Sequence, residues 1–351
     1  MPVPYWSIMA GATAINNVQS VTVSKGLRVL TDNYSSGRVL ITGRVPSSLP
    51  TLTIGQVIDC TLTNPNSTPA STYFVSGRIA DFQINYGTVP AMDTWSLELE
   101  DAFSVLGRSK ITRTWTAGTT TLTAFNNVCT DTGLTGSSIG SSTKTLSATT
   151  VTAESALAVM QNIINTEQGL MYATANNLFF YTTGWQSSTT FYAFSDAGGA
   201  ATKYQQVQFL SMADNYSTYV LITVNGGLPV VTGSGLYAYQ EDTYAANTAA
   251  QTDIGNYVLG ALSVQTNTPN RLTILLNDET SDRALQALNI NTGVTLTLRG
   301  QTYNANIIGY TISSDTQRTM ITYNLASSAF YNFLILGNTI YGKLDSNRLG
   351  F

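Results

Sequence analysis

"RIADFQIN" at residues 78–85 and "NIIGYTIS" at residues 306–313 place apolar side chains at matching positions. The matched pairs are Ile79 with Ile307, Phe82 with Tyr310, and Ile84 with Ile312. Apolar and polar residues alternate through much of both stretches, which is typical of antiparallel strands that bury one face. The two stretches therefore predict that the chain contains one β-unit twice.

Four further pairs of segments match in the same order along the chain. They are 21–26 with 222–227, 36–42 with 269–275, 58–62 with 294–298, and the residues Leu97 and Leu99 with Ile321 and Tyr323. In the second of these pairs, Arg38 falls on Arg271. One such match is uninformative because strands resemble one another, and a generic strand pattern remains the alternative. Five matches in a fixed order favour a duplication, in which each copy is a small antiparallel β-barrel.

The predicted fold class is mainly β with minor α, and it combines two duplicated antiparallel β-barrels with a small α+β middle domain and an insertion. The predicted units are a first β-barrel at 1–106, the middle domain at 107–200, a second β-barrel at 201–227 and 269–330, an insertion at 228–268, and a C-terminal segment at 331–351. A chain of 351 residues is long enough for two or three packed units, which agrees with this division.

The middle domain is predicted to contain a helix within 152–169, with Thr152 as its N-cap and Gly169 at its end. The residues that follow the cap at helical spacing are Leu157, Met160, Ile163, Ile164 and Glu167. A hairpin over 170–182 is predicted next, with its turn at Asn176–Asn177, because this pair tolerates positive φ.

A second helix is predicted within 278–291, between two strands of the second barrel. Ser281 fits its N-cap. Ala284, Leu285 and Leu288 form one apolar face at helical spacing.

The chain is poor in charged residues. Asp, Glu, Lys and Arg make up 10% of it, whereas about 25% is usual. Sparse charge, together with many Thr and Tyr residues, favours strands whose outer faces contact other subunits.

The net charge of −4 disfavours nucleic-acid binding, which needs clustered Lys and Arg. The acidic residues concentrate in 114–267, which holds eight of them against two basic residues, Lys144 and Lys203.

The residue types present exclude several kinds of chemistry. The chain has no His, so it lacks the commonest general base and the commonest zinc ligand. Cys60 and Cys129 are too few for a disulfide framework or a Cys-rich metal site, and they are predicted to be buried thiols in a reducing compartment. No apolar run of about 20 residues occurs, so no membrane span is predicted. A signal peptide is not expected either, because the opening residues lack a basic region.

Several blocks of the sequence resemble minor tail proteins of long-tailed bacteriophages. The blocks are "VTVSKGLRVLTDNYSSGRVLITGR" (21–44), "GRIADFQINYG" (77–87), "WSLELEDAFSVLG" (95–107), "EQGLMYATANNLFFYTT" (167–183), "DNYSTYVLITVNGG" (214–227) and "YGKLDSNRLGF" (341–351). The resemblance covers most of the chain and rests on patterns and short blocks rather than on one diagnostic motif.

This resemblance implies a tail-tip, or baseplate, hub that assembles as a homotrimer. Each chain would contribute two tail-tube-like barrels, so that three chains present a pseudo-sixfold ring to a sixfold tail tube. The implied partners are the tail tube or distal tail protein, the tape measure protein, and tip or fibre proteins. DNA would pass through the lumen during ejection without specific binding. The implied location is the tail tip of the virion, assembled in the host cytoplasm, with no cofactor and no enzymatic activity.

"LELED" at 97–101 offers Glu98, Glu100 and Asp101 as candidate carboxylates. A carboxylate pair can hydrolyse glycosides. Glu98 and Glu100 share one face of a strand and nothing near them implies a groove, so a solvated or lumen-lining face is the favoured interpretation. No catalytic, cofactor-binding or metal-binding residue is therefore predicted.

The aromatic segments "PYW" at 4–6 and "LYAYQEDTY" at 236–244 leave a second function open. They fit an interface or a core, but they also fit stacking on sugar rings. The alternative function is a carbohydrate-binding β protein, receptor-binding or adhesin-like, without enzymatic activity.

"GSG" at 233–235 lacks the strand–helix context of a nucleotide-binding loop. The acidic residues of the segment at 240–253 could bind Ca²⁺, but their spacing matches no established calcium-binding loop. An interface loop is therefore favoured.

Overall fold

The structure, a computed structural model, describes residues 3–28, 32–45, 51–66, 70–138, 141–173, 177–181, 191–197, 201–209, 216–262, 269–276, 284–285 and 287–327. The C-terminal segment predicted at 331–351 lies outside this range. In the first third of the chain, the strands are β1 Tyr5–Ala10, β2 Thr13–Ala14, β3 Val18–Gly26, β4 Arg38–Arg44, β5 Val57–Asn64, β6 Ser71–Asn85 and β7 Thr94–Glu100, with a 3₁₀ turn at Pro90–Met92.

The remaining elements also follow in chain order. They are α1 Ala102–Arg108, β8 Lys110–Trp115, α2 Thr121–Thr132, β9 Thr135–Ser138, β10 Thr149–Ser155, α3 Ala156–Glu167, β11 Leu170–Ala173, β12 Asn177–Tyr181, β13 Phe191–Ser195, β14 Thr202–Lys203, β15 Gln206–Gln208, β16 Tyr219–Val224, β17 Val230–Gly233, β18 Ala238–Thr243, α4 Thr248–Leu262, β19 Arg271–Leu275, β20 Gly293–Leu298, β21 Gln301–Asp315 and β22 Thr319–Ser327. The fold is mainly β with minor α, as predicted.

The N-terminal half forms one antiparallel set of strands in the order β3-β4-β7-β6-β5-β1. Residues alternate between a buried and a more exposed face along these strands, as the sequence pattern predicts. The buried face includes Val21, Val23, Ile41, Leu97 and Leu99.

The C-terminal half contains a second antiparallel set in the order β19-β22-β21-β20. This is the order of β4-β7-β6-β5, the four strands that the sequence matches with them. A further strand, β13, adds to β20 in a parallel direction. Four strands of each half therefore share order and direction.

The long strands of the two sets also share a β-bulge. β6 and β21 each span 15 residues. The register shifts between Ile79 and Asp81 in β6 and between Ile307 and Gly309 in β21. Because the sequence matches Ile79 with Ile307, the two bulges lie at equivalent positions, and a bulge is a specific structural feature rather than a general property of strands.

The pairing of Leu97 and Leu99 with Ile321 and Tyr323 is wrong by two residues. Leu97 lies opposite Phe82 and Tyr323 lies opposite Tyr310, so Leu97 corresponds to Tyr323. By the same register, Leu99 corresponds to Leu325, and Arg38 does not correspond to Arg271. The error arises because side chains repeat every two residues in a strand, so a shift of two keeps every side chain on its face.

The match of 222–227 with 21–26 is also wrong. β16 lies in a separate sheet of order β17-β16-β18, where it pairs with β18 in parallel along all six of its residues. The strand that lies beside β19, where β3 lies beside β4, is β15. An apolar run of this length fits any strand, and only its partners decide which sheet it joins.

The two halves are joined into one continuous sheet by β3 and β21. Their antiparallel register runs from Gly26 opposite Gly309 to Ser20 opposite Asp315. β3 thus uses one edge for β4 and the other for β21. It has no edge left with which to close the first set, and no pairing among the described residues closes either set into a barrel.

The middle of the chain packs three helices against small sheets, and the predicted helix begins later than expected. Thr152 lies in β10, and α3 begins at Ala156 after an N-cap at Ser155. β10 pairs with β8 as far as Ser155 opposite Lys110, which keeps the residues up to Ser155 in a strand rather than in the helix. The helix ends at Glu167, and its C-cap Gln168 adopts a left-handed conformation one residue before Gly169.

Strands β11 and β12 form the predicted hairpin, with Ala173 opposite Leu178. Its turn, including Asn176, lies outside the described residues, and Asn177 is already the first residue of β12. The predicted N-cap Ser281 also lies outside them. Ala284, Leu285 and Leu288 are buried.

One apolar core extends through both halves and the middle of the chain. The segment from 216 to 262 has a small core of its own, in which α4 packs on β16 and β17. Within the part of the chain that the structure describes, no helix combines the length and the apolar character needed to cross a membrane.

Candidate functional site

The structure separates the three candidate carboxylates of "LELED". Glu98 pairs with Arg38, whose Nη1 lies 3.2 Å from Glu98 Oε1. Glu100 pairs with Arg108, whose Nη2 lies 2.6 Å from Glu100 Oε2. Each of these carboxylates is partly exposed and has a guanidinium partner. They therefore do not form an uncompensated acidic strip.

Asp101 is buried and does not belong to a solvated face. Its Oδ1 accepts hydrogen bonds from Phe103 N at 3.1 Å and from Ser36 Oγ at 3.2 Å, so it caps α1. Burial raises the pKa of Asp101 to about 6, and the positive charge of Lys25 and the hydrogen bonds oppose this shift. Asp101 therefore has a structural role at the start of α1.

Lys25 is a buried lysine, and its burial can be predicted from the alternation of side chains in β3. It follows Val21 and Val23 at intervals of two in β3, so it lies on the buried face. Its Nζ donates to Ala173 O at 3.2 Å, which connects β3 to β11. Burial lowers the pKa of Lys25, while Asp101 opposes the shift. A lysine at an inward position is the signal that predicts such a contact.

Neighbouring strands place opposite charges beside each other on the outer face of the sheet. Glu100 of β7 lies opposite Arg38 of β4 on one side and opposite Arg78 of β6 on the other. Opposite charges in directly facing positions stabilise strand pairing. This face therefore combines compensated charges with Ser and Thr hydroxyls, such as the bond between Ser20 and Thr42 at 2.7 Å.

The aromatic residues of the two candidate sugar-binding segments divide between core and surface. Trp6 packs edge-on against Tyr73, with ring centroids 6.5 Å apart. Tyr244 is buried beside Trp115. Tyr5 and Tyr237 are exposed. Tyr5 lies in β1 of the large sheet, and Tyr237 lies in the connection between β17 and β18 of the separate three-stranded sheet. The described residues therefore do not bring the two rings together as a stacking platform.

Cys60 and Cys129 are buried free thiols. Burial raises the pKa of each thiol to about 12, so both stay protonated at neutral pH. Among the described residues, no group of three or more Cys, Asp or Glu side chains is arranged to hold a metal ion.

Glu167 is a buried carboxylate at the end of α3. Its oxygens accept hydrogen bonds from Thr121 Oγ1, Thr143 N, Thr143 Oγ1, Lys144 N and Ser142 Oγ. It therefore fixes the 142–144 segment and the start of α2 to α3. The sequence placed Glu167 on the helix but gave no sign that it is a buried anchor.

A cavity of about 280 Å³ lies where three parts of the chain meet, and we name it the Glu241 cavity. Its walls are residues 27 and 32–34 between β3 and β4, the C-terminal half of α3, and the part of the chain that holds strand β18 and helix α4. The lining residues are Leu27, Asp32, Asn33, Tyr34, Gln161, Asn162, Ile164, Asn165, Gln168, Gly169, Tyr239, Gln240, Glu241, Asp242, Tyr257, Val258 and Leu262. This site is not predictable from the sequence pattern, although Glu241 lies in the acidic segment at 240–253.

Glu241 is the buried carboxylate of this cavity. Gln168 Nε2 donates to Glu241 Oε1 at 3.0 Å, and Tyr239 is a second hydrogen-bond partner. Burial raises the pKa of Glu241 to about 7, and the bonds from Gln168 and Tyr239 oppose that rise. Glu241 therefore changes charge close to neutral pH.

The neighbouring Asp242 holds β18 against α3. Its Oδ1 accepts from Thr223 Oγ1 at 2.8 Å and from Gly226 N at 3.0 Å, and its Oδ2 accepts from Asn162 Nδ2 at 3.1 Å. Asn165 Nδ2 adds a bond to the Asp242 backbone oxygen at 3.1 Å. Both carboxylate oxygens of Asp242 are thus engaged in bonds that hold strand β18 in place.

Comparison with known proteins finds the similarity at the level of structure. No family model matches the chain, and no curated protein matches its sequence. The tail protein from Neisseria meningitidis MC58 is 12% identical, with a TM-score of 0.69, covering 94% of this chain and 98% of that one. The 43 kDa tail protein of prophage MuSo2 from Shewanella oneidensis is 12% identical, with a TM-score of 0.65, covering 92% and 97%.

A third similar structure comes from a secretion apparatus. It is an E. coli component of the type VI secretion system, described as structurally similar to the T4 bacteriophage tail proteins gp27 and gp5. It is 10% identical, with a TM-score of 0.55, covering 94% of this chain and 78% of that one. The chain therefore has the fold of phage tail proteins. The predicted resemblance to such proteins is confirmed at the level of the fold.

Proposed function

We propose that the chain is a structural component of a phage tail tip, where it acts as a homotrimeric hub between a sixfold tail tube and a threefold tip. The observation that carries this proposal is the repetition inside the sheet. The sets β4-β7-β6-β5 and β19-β22-β21-β20 share strand order, strand direction and the position of a bulge. A duplicated tube-like unit explains all three.

The repetition gives the trimer a geometric purpose. A ring of three identical chains offers three copies of any surface, whereas a sixfold tube needs six. If each chain carries the tube-like unit twice, three chains present six similar strand sets. The same surface is then used twice by each chain.

The proposed partners follow from this position in the tail. They are the tail tube or distal tail protein, the tape measure protein, and tip or fibre proteins. DNA passes along the axis of the hub during ejection without specific binding. We place the protein at the tail tip of the virion, after assembly in the host cytoplasm, and we assign it no catalytic role.

We propose that residues 107–200 and the insertion at 228–268, which hold most of the acidic side chains in the middle of the chain, lie away from the threefold axis. Residues 114–267 hold eight acidic and two basic residues, a charge of −6. Three copies crowded at an axis would repel one another. The residues before and after this region are near charge balance and suit close packing.

The oligomeric mass tests the proposal. Light scattering on the full chain after size-exclusion chromatography should give three times 37.6 kDa, and averaged electron micrographs should show a threefold particle with an axial channel. A stable monomer, or a ring of six chains, would contradict the hub. A monomer that binds glycans would favour the carbohydrate-binding alternative instead.

A further inference from the structure

The Glu241 cavity has the size and the chemical mixture of a small-molecule site. Its volume of about 280 Å³ is close to the lower end of the usual range of ligand pockets, roughly 300 Å³. Three separate parts of the chain enclose it, and aromatic, amide and carboxylate side chains line it together with aliphatic ones. Nothing in the proposed structural role requires such a cavity.

The described lining of this cavity carries negatively charged side chains, among them Glu241. No Lys or Arg is among the lining residues that the structure describes. Glu241 takes part in none of the four ion pairs found among the described residues. Its hydrogen-bond partners, Gln168 and Tyr239, are neutral. Burying a carboxylate without a cation is costly, and a cationic ligand would offset that cost.

Three tyrosines complete the lining and suit the same kind of ligand. Tyr34, Tyr239 and Tyr257 line the cavity, and aromatic rings attract organic cations through their π-faces. Aliphatic contacts come from Leu27, Val258 and other lining residues. A ligand with a positive head and a short aliphatic chain fits both features, whereas a phosphate or a carboxylate would be repelled.

We propose that the Glu241 cavity binds an alkylammonium group, with the Glu241 carboxylate as its counter-ion. The aliphatic part of the ligand lies along Val258 and Leu262, and the tyrosines surround the charged end. Two sources share this chemistry: a free amine, or a lysine side chain presented by a neighbouring protein.

Isothermal titration of the full chain with 1,5-diaminopentane tests the site. We expect saturable binding that weakens at least tenfold in Glu241→Gln, a change of about 1.4 kcal/mol. Asp253→Asn is the matched control, because Asp253 is an exposed acid on α4 that does not line the cavity. It should bind the diamine as the unchanged protein does. Equal binding by Glu241→Gln and the unchanged protein would overturn the proposal.

Titrations with further ligands distinguish a free amine from a lysine side chain as the natural ligand. Tighter binding of 1,5-diaminopentane than of Nα-acetyl-lysine N-methylamide supports a free amine, and the reverse order supports a lysine side chain. N-acetylglucosamine is the neutral comparison. Absence of binding by both amines, or equally tight binding of the neutral sugar, contradicts the proposal. Crystals soaked with the diamine give a test independent of any variant: density beside Glu241 supports the site, and density only elsewhere overturns it.

Discussion

At the scale of single residues, Glu241 connects stability to pH. Its pKa in the folded chain is raised from 4.5 to about 7, mainly by burial. The folded state therefore binds the Glu241 proton more tightly than the unfolded state. This contribution to stability is fully present below pH 4.5 and is lost as the pH rises through about 7.

We predict that Glu241→Gln stabilises the chain at pH 8 and has little effect at pH 5. Glutamine imitates the protonated carboxyl, so the gain at pH 8 should be on the order of 3 kcal/mol, since each pKa unit is worth about 1.4 kcal/mol. Urea unfolding of both proteins at the two pH values measures it. Taking the difference between the variants removes the titration of other groups. An equal effect at both pH values would show that the carboxylate is not the cause.

Some roles of individual residues can be predicted from the sequence and others cannot. Lys25 lies at an inward position of an alternating strand, so its burial can be predicted from the sequence. The burial of Glu167 and Glu241 cannot be predicted in this way, because it depends on segments distant in the chain, such as 142–144 around Glu167. Asp101 combines both cases. Its role as a helix cap can be predicted from the sequence, whereas its burial near Lys25 cannot.

At the scale of elements, the junction of β3 and β21 depends on two glycines. A Cβ added at Gly26 would lie 2.4 Å from Ile308 O and 2.7 Å from the Cα of Gly309, which no rotamer can relieve. Gly26 also has φ +79°, a conformation that favours glycine. The close approach of the two backbones therefore needs glycine at this position.

We predict that Gly26→Ala destabilises the fold more than Gly11→Ala does. Gly11 also has a positive φ, +62°, but nothing lies within 4 Å of its added Cβ. Both substitutions incur backbone strain of about 1 kcal/mol. Only Gly26→Ala adds overpacking, a further loss of about 1–3 kcal/mol. Thermal unfolding of the two variants measures the difference, and equal losses would mean that the junction can relax.

The alternation of side chains predicted that the matched segments are strands. It did not fix register, because a shift of two residues preserves the pattern, as the correspondence of Leu97 with Tyr323 shows. It also did not predict that β16 joins a separate sheet. That outcome depends on β18 and α4, which lie in the insertion and provide the partners for β16. The start of α3 was misplaced for a similar reason, since β8 holds residues up to Ser155 in a strand.

At the scale of the whole molecule, the sheet surface is proposed to act by shape and packing. Glu98 and Glu100 are paired with Arg38 and Arg108. Partly exposed ion pairs contribute about 0–1 kcal/mol each. Assembly should therefore depend little on these carboxylates.

We predict that the double variant Glu98→Gln, Glu100→Gln assembles like the unchanged protein. Light scattering should give the same mass for both, and zymograms on peptidoglycan should show no clearing for either. Clearing by the unchanged protein that disappears in the double variant would identify the two residues as catalytic and would contradict the structural role.

The joining of β3 to β21 also constrains how the protein is made. Gly26 and Gly309 pair in the finished sheet, yet about 280 residues separate them, which takes a ribosome roughly 15–60 s at ~5–20 residues per second. During that time β3 can pair with β4, but its other edge stays open. An open strand edge recruits other strands, including those of nascent neighbours. A cell that produces this protein must therefore protect an unfinished edge until β21, at residues 301–315, emerges, so slower translation should favour aggregation over folding.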